Sequence, residues 1–546
     1  MKKTLLILTT LFLFTLQYSF AQFSPDFSEY LEARMVQDES PSFSIAVLYE
    51  HGKVYFFSIG TKDFDSNYEV NEHTIYEIGS ITKTFTAGIL HHLLSENGFS
   101  TSTPVNEIIS EFANIRDYEE RHIKVGDLLN HHSALPRLPG NMMPANDMDP
   151  YQDYTNSLMY NFLDDFRPLY KPGTQFAYSN LGYMLAGNIA EILSGNSIDN
   201  LYEYYFTAPL EMNSTSRILA DSSRFAQPTF GGERVLPWNF DGVKGLGELR
   251  STTADLISYV KMMSGKTDIP YRDYFIQATT DRKSISESVS MAHGWFVMNQ
   301  NDDVIVYHGG GTGGFRAFAG FSEVSGRAAV VLTNSGAEVD DIGLHLINDA
   351  FELKELSDYI TLSNEQMERL TGVFENDMLP DFTIFVENDR LLGQLEGQGP
   401  LPLFAITETE FENESVRARV NFELEDDKAT SFTLLQGGQS FVFTLVDENR
   451  EVTEREVIEM SSEDLQAYTG SFTWEGGLQL NLRVDDNQLM AQLTAQPFIP
   501  VYPESESVFF YKAAPAELHF ERNEQGVFHR VVLHQAGQQL IFNRIE

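Results

Sequence analysis

The chain has 546 residues and no cysteine, and its 79 acidic and 37 basic residues give a formal net charge of −42 at pH 7. This length exceeds what one hydrophobic core organises, so two or more domains are expected. The absence of cysteine excludes disulfides, thiol chemistry and a lipid-anchoring cysteine. The strongly negative charge argues against nucleic acids and anionic membranes as partners.

Residues 1–21 have the pattern of a secretory signal peptide. Met1 to Lys3 provides a positive start, residues 5–16 form an apolar run, and Ser19 to Ala21 resembles a cleavage site. The apolar run is short for a bilayer span. We therefore expect cleavage after Ala21, a periplasmic or secreted location, and no stable membrane insertion of the mature chain.

The first motif with chemical content is Ser80-Ile81-Thr82-Lys83, an S-x-x-K sequence. Apolar residues recur after Ser80 at three- and four-residue spacing, which predicts a helix. Lys83 then lies one turn beyond Ser80 on the same face. A serine hydroxyl needs a neighbouring base to become a nucleophile, and a lysine amine of lowered pKa can take its proton. Ser80 is therefore the candidate nucleophile and Lys83 the candidate base.

A second S-x-x-K sequence, from Ser258 to Lys261, means that spacing alone does not identify the nucleophile. Ser80 follows Gly79 at the predicted start of its helix, where free N–H groups favour a developing anion. Ser258 instead lies inside an ordinary amphipathic helix, with no turn residue to expose its hydroxyl. The sequence context favours Ser80.

Two further motifs follow in chain order. Tyr178-Ser179-Asn180 lies between a turn at residues 171–174 and another apolar helix. Residues 154–156 repeat the Y-x-N pattern without such a setting. His308-Gly309-Gly310 begins a glycine-rich strand edge, and glycines there allow a substrate backbone to approach closely.

With these motifs the chain resembles the serine β-lactamase and penicillin-recognising family, in particular its class C-like branch, and S-x-x-K is a known signature of the wider family. Residues 127–136 are similar to the family's LLTHTSGLP segment, and residues 209–212 also match it. The resemblance implies a serine hydrolase domain over residues 22–355. The implied fold is an α/β, β-lactamase/transpeptidase-like sheet flanked by helices, with a helical region inserted between its two ends.

The resemblance also implies roles for the residues of the second and third motifs. Tyr178 shares base duty with Lys83 and later protonates the leaving group. Asn180 holds Lys83 and the substrate amide. His308 orients the substrate and supports Tyr178, and Gly310 belongs to the same substrate-binding edge.

Acyl transfer passes through an oxyanion that needs two N–H donors, and the N–H groups of Ser80 and Gly311 are the expected pair. Arg316 has two open interpretations, a substrate carboxylate anchor or a surface salt bridge. His308 is not interpreted as a metal ligand, because no second ligand accompanies it at motif spacing. The histidine pairs at residues 91–92 and 131–132 are interpreted as structural or exposed. No metal or organic cofactor is expected.

The sequence after about residue 356 contains an internal repeat of alternating apolar runs, which predict antiparallel strands. Residues 371–374 match 469–472 at an offset of 98, and residues 391–395 match 489–493 at the same offset. Two β modules are predicted, at 366–447 and 465–546, and each resembles the lipocalin-like β-barrel often appended to this family. A stabilising or spacing role is the preferred interpretation, and a barrel that overhangs the cleft is one alternative. Carbohydrate or lipid binding is another, supported only by analogy with other barrels.

The reaction implied by these motifs is acylation of Ser80 by an amide or ester, followed by hydrolysis with water. Small-molecule or peptide substrates of the D-amino-acid peptide or β-lactam type are expected, including ones derived from cell walls. The alternatives are a carboxylesterase of the same family and a slow-turnover penicillin-binding or sensor protein. An α/β-hydrolase is disfavoured, because no G-x-S-x-G sequence surrounds any serine.

Overall fold

The computed structural model describes residues 25–545 except for short gaps. The gaps are at residues 65–66, 143, 145, 147, 220, 301, 357–358, 377–378, 388–389, 397–399, 414–415, 417, 437–438, 448–456, 459, 475–478, 486–487, 494–497, 512–515, 524 and 536–537. The predicted signal peptide lies outside the described residues. The chain divides into two compact units, the first of which ends at Leu356. Among the described residues, no helix has the length and apolar character to cross a bilayer.

The first unit is built on an eight-stranded antiparallel sheet of order β2-β1-β12-β11-β10-β9-β8-β7. The strands of this unit are β1 Ser42–Leu48, β2 Val54–Gly60, β3 Tyr76–Glu77, β4 Thr229–Phe230, β5 Glu233–Arg234, β6 Arg250–Ser251, β7 Lys283–Ser284, β8 Val289–Met291, β9 Phe296–Gln300, β10 Asp303–Gly311, β11 Arg316–Ser322 and β12 Ala328–Thr333.

The helices of this unit are α1 Pro25–Gln37, α2 Thr82–Glu96, α3 Asn106–Ile109, α4 Val125–Leu129, α5 Asn156–Asp165, α6 Asn180–Ser194, α7 Ile198–Tyr202, α8 Thr253–Met263, α9 Arg272–Gln277 and α10 Asp340–Ile347. Short 3₁₀ turns at Gly79–Ile81 and Ser222–Arg224 and a π-helical turn at Glu203–Thr207 accompany them. Helices α2 to α9 all lie in the chain between β2 and β7, the two edge strands of the sheet.

Both faces of the central strands are covered, which explains their continuous apolar sequences. Along β1, Ile45 and its alternate neighbours share a core with Leu31 of α1 and Ile342 of α10. Ala46 and Leu48 belong to a second core, which includes Leu256 of α8 and most of the inserted helices. The expected α/β sheet with a helical region inserted between its ends is confirmed.

The second unit contains two antiparallel β modules. The first is a nine-stranded sheet of order β16-β15-β14-β13-β21-β20-β19-β18-β17. Its strands are β13 Gly372–Glu375, β14 Phe382–Glu387, β15 Arg390–Leu395, β16 Leu401–Pro402, β17 Phe404–Ala405, β18 Glu410–Asn413, β19 Ala418–Glu425, β20 Lys428–Gln436 and β21 Gln439–Asp447, preceded by α11 Asn364–Glu368. The two end strands, β16 and β17, are separated only by Leu403, so the chain itself joins the ends of the sheet.

The second module is a closed eight-stranded barrel in which β22 pairs with β29. Its strands are β22 Gly470–Thr473, β23 Gln479–Asp485, β24 Gln488–Leu493, β25 Ile499–Pro503, β26 Val508–Tyr511, β27 Ala516–Arg522, β28 Phe528–Gln535 and β29 Gln538–Arg544, preceded by α12 Ser462–Leu465 and a 3₁₀ turn at Gln466–Tyr468.

The strands of the two modules correspond at the offset of the sequence repeat. Strands β13 and β22, β15 and β24, and β18 and β26 all begin 98 residues apart. Phe374 and Phe472, which also differ by 98, are both fully buried. The expected all-β barrel character of this half is confirmed, and the first module differs by interrupting at Leu403 the strand that β25 forms without a break.

Candidate active site

Ser80 lies in the short 3₁₀ turn that leads into α2 and is partly exposed. Gly79 before it has a φ of 48°, the left-handed region that favours glycine. A β-carbon on Gly79 would lie 2.7 Å from the backbone nitrogen of Gly311, so a side chain here would separate the two segments. Glycine therefore allows the nucleophile turn to meet the end of β10.

The Lys83 side chain is fully buried beside Ser80. Its Nζ lies 2.9 Å from Ser80 Oγ and donates to the carbonyl of Leu246 at 2.7 Å. Burial, with a further contribution from the charge of Arg137, lowers the pKa of Lys83 well below its ordinary value. A neutral lysine amine has a lone pair, so Lys83 is placed to accept the proton of the Ser80 hydroxyl.

Tyr178 completes the cluster around Ser80, because its side chain lies close enough to the Ser80 hydroxyl to interact with it. Lys83 Nζ lies 5.2 Å from the centre of the Tyr178 ring. Burial raises the pKa of Tyr178 above its ordinary value, and the interaction with Ser80 only partly offsets this. The opposite shifts of the two pKa values favour a neutral Lys83 as the base and a protonated Tyr178 as the proton donor.

His131 holds Tyr178 in place. The two rings stack with centroids 4.0 Å apart, and the N–H of Ser179 donates to His131 Nδ1 at 3.0 Å. The imidazole is fully buried, and burial lowers its pKa well below the ordinary value, so it is neutral. Of the two interpretations of this histidine, structural or exposed, the structure provides the structural one, with the ring packed against a motif residue.

Asn180 lies at the start of α6 but does not hold Lys83 in this structure. Its Nδ2 donates to the hydroxyl of Tyr151 at 2.9 Å, and its buried Oδ1 has no hydrogen-bond partner among the described residues. The contact predicted between Asn180 and Lys83 is replaced by the bond from Lys83 to the Leu246 carbonyl.

The last part of β10 presents an unpaired edge to Ser80. Strand β9 pairs with β10 only as far as Tyr307, which leaves residues 308–311 without a partner on that side. A β-carbon on Gly310 would lie 2.0 Å from the carbonyl oxygen of Ile78, so only glycine allows this contact. The backbones of the strand and of the nucleophile turn therefore touch directly.

The register of β10 and β11 sets the direction of the Gly311 N–H. The N–H of Thr312 donates to the carbonyl of Phe315 at 3.1 Å. Because hydrogen-bonded and non-bonded pairs alternate along an antiparallel ladder, Gly311 and Arg316 form a non-bonded pair. The Gly311 N–H then points away from β11, towards the open edge. The Ser80 N–H lies in the first turn of its helix, where such groups have no intrahelical partner.

His308 is 2% exposed, and its ring centre lies 6.3 Å from that of Tyr178. Its Nδ1 contacts the carbonyl of Gly309, and its buried Nε2 has no partner among the described residues. Burial is the main cause that lowers the pKa of His308 to about 3. The third motif therefore contributes a neutral imidazole with an open nitrogen and no positive charge.

Arg316 is not brought into the Ser80 cluster. Its Nε donates to Glu338 at 3.0 Å, and its Nη1 donates to the carbonyls of Thr312 and Phe315 at 3.1 Å. Successive residues of a strand face opposite sides. Gly310 faces Ile78, so Gly311 faces the opposite side of the sheet. A β-carbon on Gly311 would meet the Arg316 guanidinium, which places the Arg316 side chain on that opposite side as well. Of the two interpretations left open, the structure provides the salt bridge.

Glu248 is a component of the site that the sequence motifs did not reveal. Its buried carboxylate accepts the N–H groups of residues 245–247 at 2.7, 3.1 and 3.0 Å and the Tyr202 hydroxyl at 2.9 Å. These bonds fix the turn whose Leu246 carbonyl contacts Lys83. In the sequence, the only sign of this role was that Glu248 follows the glycine-rich residues 245–247.

The second S-x-x-K sequence lies inside α8, where Ser258 donates its hydroxyl to the carbonyl of Ala254 at 3.3 Å. Within the described residues, no group of three or more His, Asp or Glu side chains forms a metal-binding cluster.

The fold and the Ser-Lys-Tyr cluster are those expected of a serine hydrolase. Residues 27–351 match the family described as Beta-lactamase, and the chain belongs to this family. Residues 454–544 match a domain of unknown function, DUF3471, which covers the second β module.

Individual relatives agree with this assignment. The chain is 25% identical over 447 residues to penicillin-binding protein 4* of Bacillus subtilis, covering 73% of this chain and 94% of that protein. It is 26% identical over 341 residues to a β-lactamase of Pseudomonas fluorescens, covering 56% of this chain and 91% of that protein.

Among solved structures, the octameric penicillin-binding protein homologue of Pyrococcus abyssi is similar with a TM-score of 0.55 and 23% identity, over 76% of this chain and 99% of that chain. A β-lactamase/D-alanine carboxypeptidase of Pseudomonas syringae is similar with a TM-score of 0.52 and 19% identity, over 60% of this chain and 98% of that chain. These two likenesses support the fold.

Proposed function

We propose that this protein is a secreted hydrolase that cleaves amide or ester substrates through an acyl-enzyme on Ser80. The observation that carries the proposal is the 2.9 Å contact between Ser80 Oγ and a buried Lys83 of lowered pKa. This arrangement supplies an activated nucleophile without a metal or an organic cofactor.

In acylation, neutral Lys83 takes the Ser80 proton while Oγ attacks the substrate carbonyl carbon. The resulting oxyanion is stabilised by the N–H groups of Ser80 and Gly311. When the bond to the leaving group breaks, the Tyr178 hydroxyl gives that group a proton, and the proton held by Lys83 restores the tyrosine. In deacylation, water attacks the ester carbonyl and loses its proton to Lys83, and Ser80 Oγ leaves with a proton.

The proposed substrates are D-amino-acid peptides and β-lactams, a choice supported by the similarity to a penicillin-binding protein over most of both chains. The buried Asn180 Oδ1 supports it further, because this unpaired acceptor suits a substrate N–H. A carboxylesterase is the second candidate. It is favoured by the neutral His308, which brings no positive charge to the third motif.

The test is intact-mass analysis after incubation with penicillin, a p-nitrophenyl ester and a peptide ending in D-Ala-D-Ala. Wild-type protein should gain the acyl mass and lose it as product appears. Ser80→Ala should gain no mass, and the matched control Ser258→Ala should behave as wild type. Acylation retained in Ser80→Ala, or abolished in Ser258→Ala, would contradict the assignment. Turnover of the ester alone would favour the carboxylesterase, and a persistent penicillin adduct would favour a sensor.

A further inference from the structure

Arg137 lies beside the catalytic cluster but belongs to none of the three motifs. Its guanidinium carbon is 5.2 Å from the centre of the Tyr178 ring. Its main-chain carbonyl accepts the N–H groups of Asn180 at 2.9 Å and Leu181 at 3.2 Å, which fixes this position to the start of α6. The side chain itself is exposed. A solvent-accessible guanidinium and the Ser80 hydroxyl therefore both lie near the Tyr178 side chain.

Arg137 has no acidic partner among the described residues, although the chain contains 79 acidic side chains and 37 basic ones. The comparison with Arg316 is direct, because Arg316 is held by Glu338 and by two carbonyls of its own hairpin. In a chain with so many acidic residues, an exposed arginine usually finds a carboxylate of the protein itself. Arg137 has not done so, and its guanidinium is therefore available to a ligand.

The other basic groups of the site have lowered pKa values. Burial lowers the pKa of Lys83 and of His131 well below their ordinary values, and that of His308 to about 3. Arg137 differs from them in its chemistry, because a guanidinium group is not deprotonated in proteins. Among the described basic side chains of this cluster, it is the one that offers a lasting positive charge to a substrate.

We propose that Arg137 binds a carboxylate of the substrate and thereby gives the enzyme a preference for anionic amides or esters. The inference rests on the proposed function, which it deepens by naming a property of the substrate. A guanidinium binds a carboxylate through two parallel N–H···O bonds, a geometry that lysine does not reproduce. The carboxylate belongs either to the acyl part or to the leaving group of the substrate.

A purely structural role for Arg137 predicts a different outcome. If the guanidinium only packs on the Tyr178 ring, its removal disturbs the tyrosine and slows all substrates alike. Binding of a carboxylate instead predicts a loss confined to anionic substrates. The ratio of kcat/KM between an anionic substrate and its neutral analogue separates the two roles.

Two substrate pairs test the inference. The phenylacetyl ester of meta-hydroxybenzoic acid carries its carboxylate on the leaving group, and the monophenyl ester of terephthalic acid carries it on the acyl part. Each is compared with its own carboxamide in wild type, Arg137→Met, Arg137→Lys and the matched control Arg167→Met, which removes another exposed arginine. Thermal denaturation of each variant confirms that the fold is kept.

We expect wild type to prefer the carboxylate in at least one pair, and Arg137→Met to lower that ratio by about tenfold or more, the scale of one charge-assisted hydrogen bond. The pair affected identifies which part of the substrate carries the carboxylate. Arg137→Lys should recover part of the ratio, and Arg167→Met should leave it unchanged. A wild type without a preference, or equal losses for both members of each pair, would overturn the inference.

A binding measurement separates failure of this inference from failure of the proposed function. Meta-carboxyphenylboronic acid and its carboxamide are titrated by calorimetry into the same proteins, which requires no turnover. If wild type hydrolyses no ester, the proposed function fails. The affinities of the two boronic acids then show whether Arg137 binds a carboxylate. Tighter binding of the carboxylate that is lost in Arg137→Met supports the inference, and equal or absent binding overturns it.

Discussion

The proposed nucleophile and its proposed base are close in sequence, which is why their contact could be predicted from it. Lys83 follows Ser80 by three positions, and the helix that follows sets their distance without help from the rest of the fold. Glu248 and Arg137 act from segments far away in the chain and belong to no motif, so their contacts needed the structure. The choice between two roles for Arg316 likewise depended on which face of β11 meets Ser80.

The buried lysine predicts opposite effects of one substitution on activity and stability. Lys83→Met should lower kcat by about 10²–10⁴-fold, the usual scale for a catalytic base. The unfolded chain binds a proton at Lys83 more readily than the folded one, so wild type is destabilised at every pH below the ordinary pKa of 10.5. The difference in Tm between Lys83→Met and wild type should therefore favour the variant most at low pH and shrink as the pH rises. A difference that does not change with pH would contradict the lowered pKa.

The proton-donor role of Tyr178 predicts a kinetic effect without a structural one. Tyr178→Phe removes one hydroxyl and should lower kcat by about 10²-fold or more. Tyr154 carries the same motif pattern but donates to Asn141 at 2.8 Å. The matched control Tyr154→Phe should keep its activity and lose about 1 kcal/mol of stability, the worth of one hydrogen bond. Equal kcat values for the two variants would show that Tyr178 is only structural.

At the scale of elements, α10 places a titratable group behind the catalytic strand. Asp340 lies against Gly309, where a β-carbon would come within 2.8 Å of its Oδ1. Burial, followed by the charges of Glu338 and Asp341, raises the pKa of Asp340 to about 7, against the opposing effect of Arg316. The stability that this carboxyl contributes is therefore fully present below its ordinary pKa of 3.8 and is lost as the pH rises through about 7.

Asp340→Asn should consequently stabilise the protein, by an amount that grows between pH 3.8 and about 7 and then stays constant. A gain of about 1–3 kcal/mol is expected, after allowance for partial exposure. Asp341 is the matched control with the opposite sign. Burial acts to raise its pKa, but the hydrogen bond and charge of Arg34 lower it overall. Asp341→Asn should destabilise the protein above its ordinary pKa. Urea unfolding across this pH range measures both, and a loss of stability in Asp340→Asn would contradict the assignment.

The β modules show what a repeat in sequence does and does not determine. The offset of 98 predicted which strands correspond, because matching apolar residues such as Phe374 and Phe472 must fill matching cores. The break at Leu403 was not predictable from composition. It arises because residues 401–402 pair with β15 and residues 404–405 pair with β18.

At the scale of the whole molecule, the catalytic unit and the β modules have separate hydrophobic cores. A chain ending at Leu356 should therefore fold and hydrolyse a small ester with kcat/KM within a few-fold of the full chain. The preferred role of the modules, stability or spacing, predicts at most a lower Tm. A module that overhangs the cleft predicts instead a change for large peptides that exceeds the change for small esters. Complete loss of ester hydrolysis in a folded truncation would show that the modules contribute to the site.

The meeting of β10 with the nucleophile turn has a consequence for how such enzymes diversify. The contact joins main-chain atoms of residues 78–79 to main-chain atoms of residues 310–311. A side chain on Gly79 or on Gly310 would have no room there. The proposed oxyanion pocket therefore uses main-chain N–H groups as donors. A neighbouring substitution cannot change the rotamer of such a donor. Residues that recognise the rest of the substrate, Arg137 among them, are free to change over evolutionary time while the chemistry at Ser80 is inherited intact.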